Sequence, residues 1–299
     1  MLNQWFYSHS TWEVALAICS AMVVVPLLGL LLFHRLVDWE AREHDTTMVG
    51  LSYALCGSIY TVLLAFVAVG TYESLEKTAA IASEEANSLG GLAFDSAGLP
   101  PELGQEIRGD INRYIDITIK KEWPSQRAYH MDPANYAEGW AQVRHLSLDL
   151  AAFEPATPGQ ATVQSEMQRV MNELLESRRT RLLAANEHIP DAVWEMLIFG
   201  LALVAVYVYL FGPHSFRIHM SVTALTMVSI GLVFTLVIAL DYPFRGDLSV
   251  DSDAFARVQE VANRTFASTG KAGRGAVPAF SSGQIPASAG EPAEDGKAR

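Results

Sequence analysis

An uncharged apolar run of about 23 residues, from Met48 to Gly70, constrains this chain more than any other feature. A helix of that length crosses the hydrocarbon core of a bilayer, which is about 30 Å thick. The sequence then turns polar at Glu73, and no proline or other stop signal separates the two parts. We therefore predict one long helix that leaves the membrane and continues into water.

Three further apolar runs indicate an integral membrane protein. We predict membrane helices at about 13–33, 48–70, 193–211 and 220–240, each long enough to span. The predicted fold class is all-α, with four transmembrane helices arranged as two hairpins. An even number of crossings puts both termini and residues 71–191 on one side of the membrane. The positive charges near the membrane ends favour a cytoplasmic layer only weakly and do not decide the side.

The remaining sequence divides by composition. Residues 71–191 are acidic and repeat apolar positions at steps of three and four, which predicts a helical extramembrane layer between the second and third spans. The first hairpin then occupies 1–70 and the second 192–241. A turn and short helix follow at 242–266, and the Gly, Ala, Ser and Pro content of 267–299 predicts a disordered tail.

Charge and motif content exclude several function classes. The net charge is −12 and the sequence contains no basic stripe, which argues against nucleic-acid binding. Because the sequence has no phosphate-binding loop, nucleophile elbow or zinc-protease helix, we predict neither an enzyme nor a cofactor. The two cysteines, Cys19 and Cys56, both lie in apolar runs, so they indicate small buried residues and not a disulfide or zinc site.

Two groups of side chains offer metal ligands, and neither predicts a metal site. One group is four histidines that flank the predicted membrane ends: His34, His44, His214 and His219. Polar side chains are common at such interfaces. The other group is three carboxylates after the fourth span: Asp247, Asp251 and Asp253. Their oxygens suit Ca²⁺, but the spacing does not match an EF-hand loop, so we favour a turn and N-cap role.

Small residues recur along one face of the Met48 to Gly70 run, at steps of three and four. They are Gly50, Ala54, Gly57, Thr61, Ala65 and Ala68. Such a face allows a second helix to approach closely, either within one chain or between subunits.

Two charged clusters stand at similar predicted heights above the membrane. Glu85 and Asn87 lie about 15 residues beyond the second span, and Arg178 and Arg181 lie roughly 11 to 14 residues before the third. At about 1.5 Å per residue, both clusters stand roughly 17 to 22 Å above the bilayer if the helices run upright. The clusters form either a buried structural network or two solvated helix faces that contribute little energy.

Six sequence elements between Ala41 and Phe255 together form a recognisable pattern. They are Gly50-Leu-Ser-Tyr through Glu73, Glu85-Ala-Asn87, Trp123-Pro124, Arg178 to Leu182, Ile189-Pro-x-x-x-Trp194, and a C-terminal turn with Asp241, Pro243, Phe244 and Gly246. Pro243 ends the fourth helix, and Gly246 permits a sharp turn. In this pattern the chain resembles the bestrophin-like membrane proteins of bacteria and plants.

Similarity to true bestrophins implies a homo-oligomeric channel for small inorganic ions, a tetramer or pentamer in the cell (inner) membrane. The second span of every subunit would line a central pore. By that analogy, one apolar stripe forms a hydrophobic constriction: Ile59, Leu63, Phe66 and Gly70. The pore mouth would carry Glu73, Glu76 and Lys77. An acidic mouth favours cations, whereas bestrophins pass anions, so the permeant ion is left open.

One alternative belongs to a different class. A membrane-anchored sensor or scaffold would use its helical layer to bind a protein or ligand and would conduct no ions. A ring-shaped assembly with an axial opening distinguishes the channel from this alternative.

Overall fold

The computed structural model describes residues 9–36, 46–128, 133–211 and 215–271, which are almost entirely helical. Nine α-helices occur in these ranges. In chain order they are α1 (Thr11–Leu36), α2 (Thr46–Asp95), α3 (Pro101–Ile117), α4 (Trp123–Arg127), α5 (Pro133–Ala152), α6 (Pro158–Ala184), α7 (Asp191–Leu210), α8 (Phe216–Leu240) and α9 (Asp253–Lys271).

Within the described chain, four helices are long and apolar enough to cross a membrane: α1, α2, α7 and α8. The helical content and the four candidate spans confirm the all-α class and the number of membrane-length helices. Helix α2 is a single element of 50 residues, which at about 1.5 Å per residue is much longer than a bilayer is thick. The apolar run and the polar segment after it therefore belong to one helix.

Some helix bounds differ from the sequence-based ones. Helix α8 begins at Phe216, earlier than the predicted 220, because its first turn carries the polar Arg217 and His219, which lower its hydropathy without interrupting the helix. Helix α9 runs to Lys271 and so enters the 267–299 segment that composition predicts to be disordered. Residues 272–299 lie outside the described part of the chain.

The candidate spans share one apolar core. Helix α1 packs mainly on α8, while α7 and α8 pack against α2. Glycine allows close approach at one of these contacts, since a Cβ on Gly200 would lie 2.6 Å from the Tyr60 ring. The buried members of this core are Tyr60, Leu64, Ile189, Leu197, Val204, Val208, Met227, Phe234 and Val237.

A second core lies among the helices between the second and third candidate spans. Helix α6 packs along α2, α3 packs against α5, and α5 packs against α6. Burying one leucine, isoleucine, valine or methionine side chain contributes about 1.5 to 3 kcal/mol to folding before conformational entropy is subtracted. The almost fully buried members of this second core include Leu89, Leu92, Ile107, Ile111, Ile115, Val143, Leu146, Met167 and Leu174.

Candidate functional site

The apolar stripe with the predicted constriction residues lies on an exposed face of α2. Ile59 is 72% exposed, Phe66 is 73% exposed and Leu63 is 39% exposed. Gly70 is also exposed, with open space where a Cβ would stand. Leu64 points the other way, into the core shared with α7 and α8. The stripe therefore faces lipid or another protein surface.

The residues that follow the stripe also lie at the surface. Glu73, Glu76 and Lys77 are all exposed, one to two turns beyond Gly70. On the small-residue face, both ends are partly covered within the chain: a Cβ on Gly50 would lie 3.2 Å from the Phe211 ring, and Ala68 packs against the shared core. The same face is open at Gly57.

Five completely buried polar side chains lie together at the polar half of α2. They are Glu85 on α2, Tyr114 on α3, Glu122 just before α4, and Arg178 and Arg181 on α6. We call this set the charge network. Two arginines face two glutamates, so the formal charges balance, as buried charges require.

Arg181 joins both carboxylates. Its Nε donates to Glu85 Oε2 at 2.6 Å and its Nη2 donates to Glu85 Oε1 at 3.0 Å, which makes a bidentate pair. Its Nη2 also lies 2.8 Å from Glu122 Oε2. The Arg181 guanidinium on α6 therefore connects α2 with the segment between α3 and α4.

Arg178 binds the other two members of the network, Glu122 and Tyr114. Its Nη2 lies 2.6 Å from Glu122 Oε1 and its Nη1 lies 3.1 Å from Glu122 Oε2. Nη1 also donates to the Tyr114 hydroxyl at 2.7 Å, and that hydroxyl donates to Glu85. Each carboxylate is consequently held by at least two donors, and three helices share one hydrogen-bonded unit.

Aromatic rings cover the two guanidinium groups. The Arg178 Cζ lies 4.8 Å from the Trp140 ring centroid, and the Arg181 Cζ lies 5.3 Å from that of Trp123. Both distances suit cation–π attraction. Space is limited on the α5 side, since a Cβ on Gly139 would overlap Glu122 and Arg178.

Burial and neighbouring charges shift the pKa values of Tyr114 and Arg181. Burial raises the pKa of Tyr114 far above its usual 10.0, and the Glu85 carboxylate adds to that rise. Burial alone would lower the pKa of Arg181, but the attraction of Glu85 and Glu122 outweighs it and the pKa rises. The phenol is thus a hydrogen-bond donor and the guanidinium a fixed cation at neutral pH.

Glu122 reaches the network because the helix widens locally. Residues Thr118–Glu122 form a π-helical turn, in which the Trp123 amide bonds to the Thr118 carbonyl. Pro124 explains the widening, since it has no N–H and its ring would clash with the carbonyl four residues earlier. The turn rotates Glu122 inwards, where it is completely buried.

The structure brings together only part of the predicted network. Glu85, Arg178 and Arg181 meet, but Asn87 is exposed and lines a surface groove between α2 and α6. Sequence reasoning missed Tyr114 and Glu122. A signal for Glu122 was the Trp-Pro pair directly after it, which disturbs helical geometry.

The C-terminal turn holds the end of α8 against the start of α7. Buried Asp241 accepts the Ile189 amide at 2.7 Å through Oδ1. Burial raises the pKa of Asp241, and the Ile189 N–H partly opposes that rise. Gly246 has a φ of 81°, which few residues except glycine adopt readily.

The same turn packs against the charge network through Trp123. This ring contacts Phe244 edge-on at a centroid distance of 5.3 Å, and its Nε1 donates to the Val250 carbonyl at 3.2 Å. The Val250 amide in turn donates to the Pro243 carbonyl at 2.8 Å. All four predicted turn residues are therefore engaged in packing or backbone geometry.

The remaining candidate metal ligands make hydrogen bonds or ring contacts within the chain. Asp247 Oδ2 accepts the Thr11 amide at 2.7 Å, and Asp251 Oδ1 accepts the Asp253 amide at 3.0 Å. His34 stacks on Phe216, while His219 contacts Phe211 edge-on. His44 and His214 lie outside the described residues.

Comparison with solved structures shows the fold. A point variant of a bacterial bestrophin homologue from Klebsiella pneumoniae matches with a TM-score of 0.59 and 14% identity, over 87% of this chain and all (100%) of that chain. A second structure of a bacterial bestrophin homologue from the same organism gives 0.56 and 13%, over 83% and 97%. A structure described as a membrane protein gives 0.58 and 13%, over 81% and 97%.

Sequence comparison gives the family. No curated protein matches the chain significantly. The model of the Bestrophin-like domain, in contrast, matches residues 20–255, a region that contains α2, the charge network and the C-terminal turn. Because this match covers well over half of the chain, the protein belongs to the Bestrophin-like domain family.

Proposed function

We propose that this protein is a homo-oligomeric ion channel of the cell (inner) membrane, a tetramer or pentamer, with α2 of every subunit lining a central pore. The observation that carries the proposal is the exposure of the apolar stripe on α2. Ile59 and Phe66 are more than 70% exposed on a helix whose other face is packed. The family and the fold support the assembly.

In this proposal the stripe narrows the pore. Ile59, Leu63, Phe66 and Gly70 would form a hydrophobic constriction that gates by dewetting. Beyond it, the exposed Glu73, Glu76 and Lys77 would set the charge at the mouth. This charge selects between cations and anions entering the pore.

The helices between the second and third spans would form the extramembrane layer, covering residues 71–191. The charge network holds the extension of α2 against α3 and α6 through completely buried ion pairs. A rigid extension of α2 would transmit movements of this layer to the constriction. The C-terminal turn adds a second attachment through Trp123.

Planar-bilayer recording of the purified oligomer tests the proposal. Phe66→Ala should raise the leak current because it widens the constriction, and Glu73→Gln should shift the reversal potential in a salt gradient. Phe199→Ala is a matched control, since Phe199 on α7 is 67% exposed and lies outside the proposed pore. A dimer without an axial opening, or equal currents for all variants, would remove the channel proposal.

A groove favours the alternative of a sensor or scaffold. A cavity of about 670 Å³ lies between α2 and α6, and its lining includes Glu84, Asn87, Glu173 and Glu176. Arg169 also lines the groove and pairs with Glu166 and Glu173, but carboxylates outnumber it. A mainly acidic lining of this kind suits a cationic ligand or a basic protein segment. Absence of conductance together with specific binding of a cationic ligand that Glu176→Gln weakens would establish this function instead.

A further inference from the structure

Three potential metal ligands converge on two neighbouring helices, away from the charge network. Asp110 lies on α3, and His145 and Asp149 lie four residues apart on α5. That spacing puts the last two side chains on one face of their helix. One ligand atom from each of the three residues lies within 4.8 Å of the other two.

The short distances within the triad centre on the imidazole. His145 Nδ1 lies 2.8 Å from Asp149 Oδ2 and 3.1 Å from Asp110 Oδ2. The Asp110 side chain is only 5% exposed and that of Asp149 is 24% exposed, whereas His145 is 54% exposed. Two carboxylates are thus held under a histidine that solution can reach.

Hydrogen bonds do not satisfy all the polar atoms of this triad. One imidazole nitrogen carries at most one proton, yet Nδ1 faces two carboxylate oxygens. Asp149 Oδ2 is buried and has no hydrogen-bond partner among the described residues, despite its closeness to the ring. Arg113 engages only the other oxygen of Asp110, Oδ1, at 3.0 Å. Arg113 and a single proton on Nδ1 therefore do not satisfy all the carboxylate oxygens that meet in the triad.

We propose that Asp110, His145 and Asp149 bind a divalent transition-metal ion of the zinc class and so join α3 to α5. The ligands would be Asp110 Oδ2, His145 Nδ1 and Asp149 Oδ2. An imidazole ligand favours zinc, nickel or copper over magnesium or calcium. Three protein ligands leave a fourth tetrahedral position for water.

The observed spacing fits such an ion after a small adjustment. Tetrahedral bonds of about 2.0 to 2.1 Å place neighbouring ligand atoms about 3.3 Å apart. The two short distances in the triad, 2.8 and 3.1 Å, need to open by only a few tenths of an ångström. Since α3 and α5 already pack together, the ion would reinforce an existing contact. The site does not depend on the proposed channel function.

Zinc titration of the tag-free, chelator-treated full chain in detergent tests the proposal. Competition against a fluorescent zinc indicator should show one Zn²⁺ per chain, and Zn²⁺ should raise the melting temperature. His145→Ala and Asp149→Asn should each weaken binding by more than the roughly 10- to 100-fold that loss of an outer-shell partner costs. Both variants should also abolish the rise in melting temperature.

A variant on the same helix serves as the control. Glu138 on α5 is half exposed and pairs with Lys121, so Glu138→Gln removes one carboxylate without touching the triad. It should bind Zn²⁺ like the wild type. Equal affinities in the wild type and His145→Ala, or tighter binding of Ca²⁺ than of Zn²⁺, would overturn the proposal. His145 and Asp149 are partly exposed, so we expect both variants to fold. An unchanged helical signal checks that they do.

Discussion

The two halves of α2 differ in the residues that they expose, although they belong to one unbroken helix. In the membrane half, the large apolar Ile59 and Phe66 point outwards. In the polar half, the charged Glu85 is completely buried while its neighbour Glu84 is exposed. The comparison shows that the medium around a helix, and not the helix itself, decides which side chains it can expose.

Different contacts hold the two halves. Lipid solvates apolar side chains, so the membrane half needs shape fit, such as that between Tyr60 and Gly200, more than it needs burial of hydrophobic area. In the polar half, water is excluded from Glu85, so the buried carboxylate needs a charged partner, which Arg181 on α6 supplies. Three substitutions separate these contributions.

The largest effect is expected at Glu85. Glu85→Ala should destabilise the protein by about 3 to 5 kcal/mol, because it leaves the buried Arg181 without its bidentate partner. Glu84→Ala removes an exposed carboxylate one residue away and should change stability by about 0.5 kcal/mol or less. Unfolding of both variants in detergent measures the difference. Equal stabilities would show that the network contributes no more than a surface charge.

The next effect tests packing in the membrane half. Leu64→Ala should cost about 2 to 5 kcal/mol, because Leu64 is only 3% exposed and its loss leaves a cavity. Leu225→Ala on α8 removes a side chain that is 71% exposed and should be nearly neutral in the monomer. If the two substitutions were equally destabilising, the exposed surface of α8 would have to pack against another subunit.

A smaller effect is expected for Tyr114→Phe, about 1 to 3 kcal/mol at neutral pH, since a buried carboxylate loses one donor. The pH dependence is more specific. The native pKa of Tyr114 lies above the unfolded value of 10.0, so the native state retains a proton that the unfolded state loses above that pH. Stability contributed by this group is therefore complete below pH 10 and falls as pH rises further.

Denaturation at several pH values around and above 10 measures that dependence. The wild type should lose stability more steeply than Tyr114→Phe, by up to one proton in the slope. Identical slopes would mean that the hydroxyl is not shielded from water as the structure places it.

Parts of the candidate site follow from sequence because helices are regular. The similar predicted heights of Glu85 and Arg181 depend only on residue counts along two helices, and these side chains do meet. Glu122 and Tyr114 could not be placed in the same way. Glu122 requires the π-helical turn before Pro124, and Tyr114 requires the packing of α3 against α2.

The sequence by itself determined the four apolar helices, the continuity of α2 and the family pattern, since these depend on local hydropathy and helical periodicity. Only the tertiary structure decided that Arg178 and Arg181 are buried and share Glu122. It also decided that Asp110 meets His145 across two helices. The physical reason is that burial and pairing of charges depend on side chains distant in sequence, whose approach no local pattern specifies.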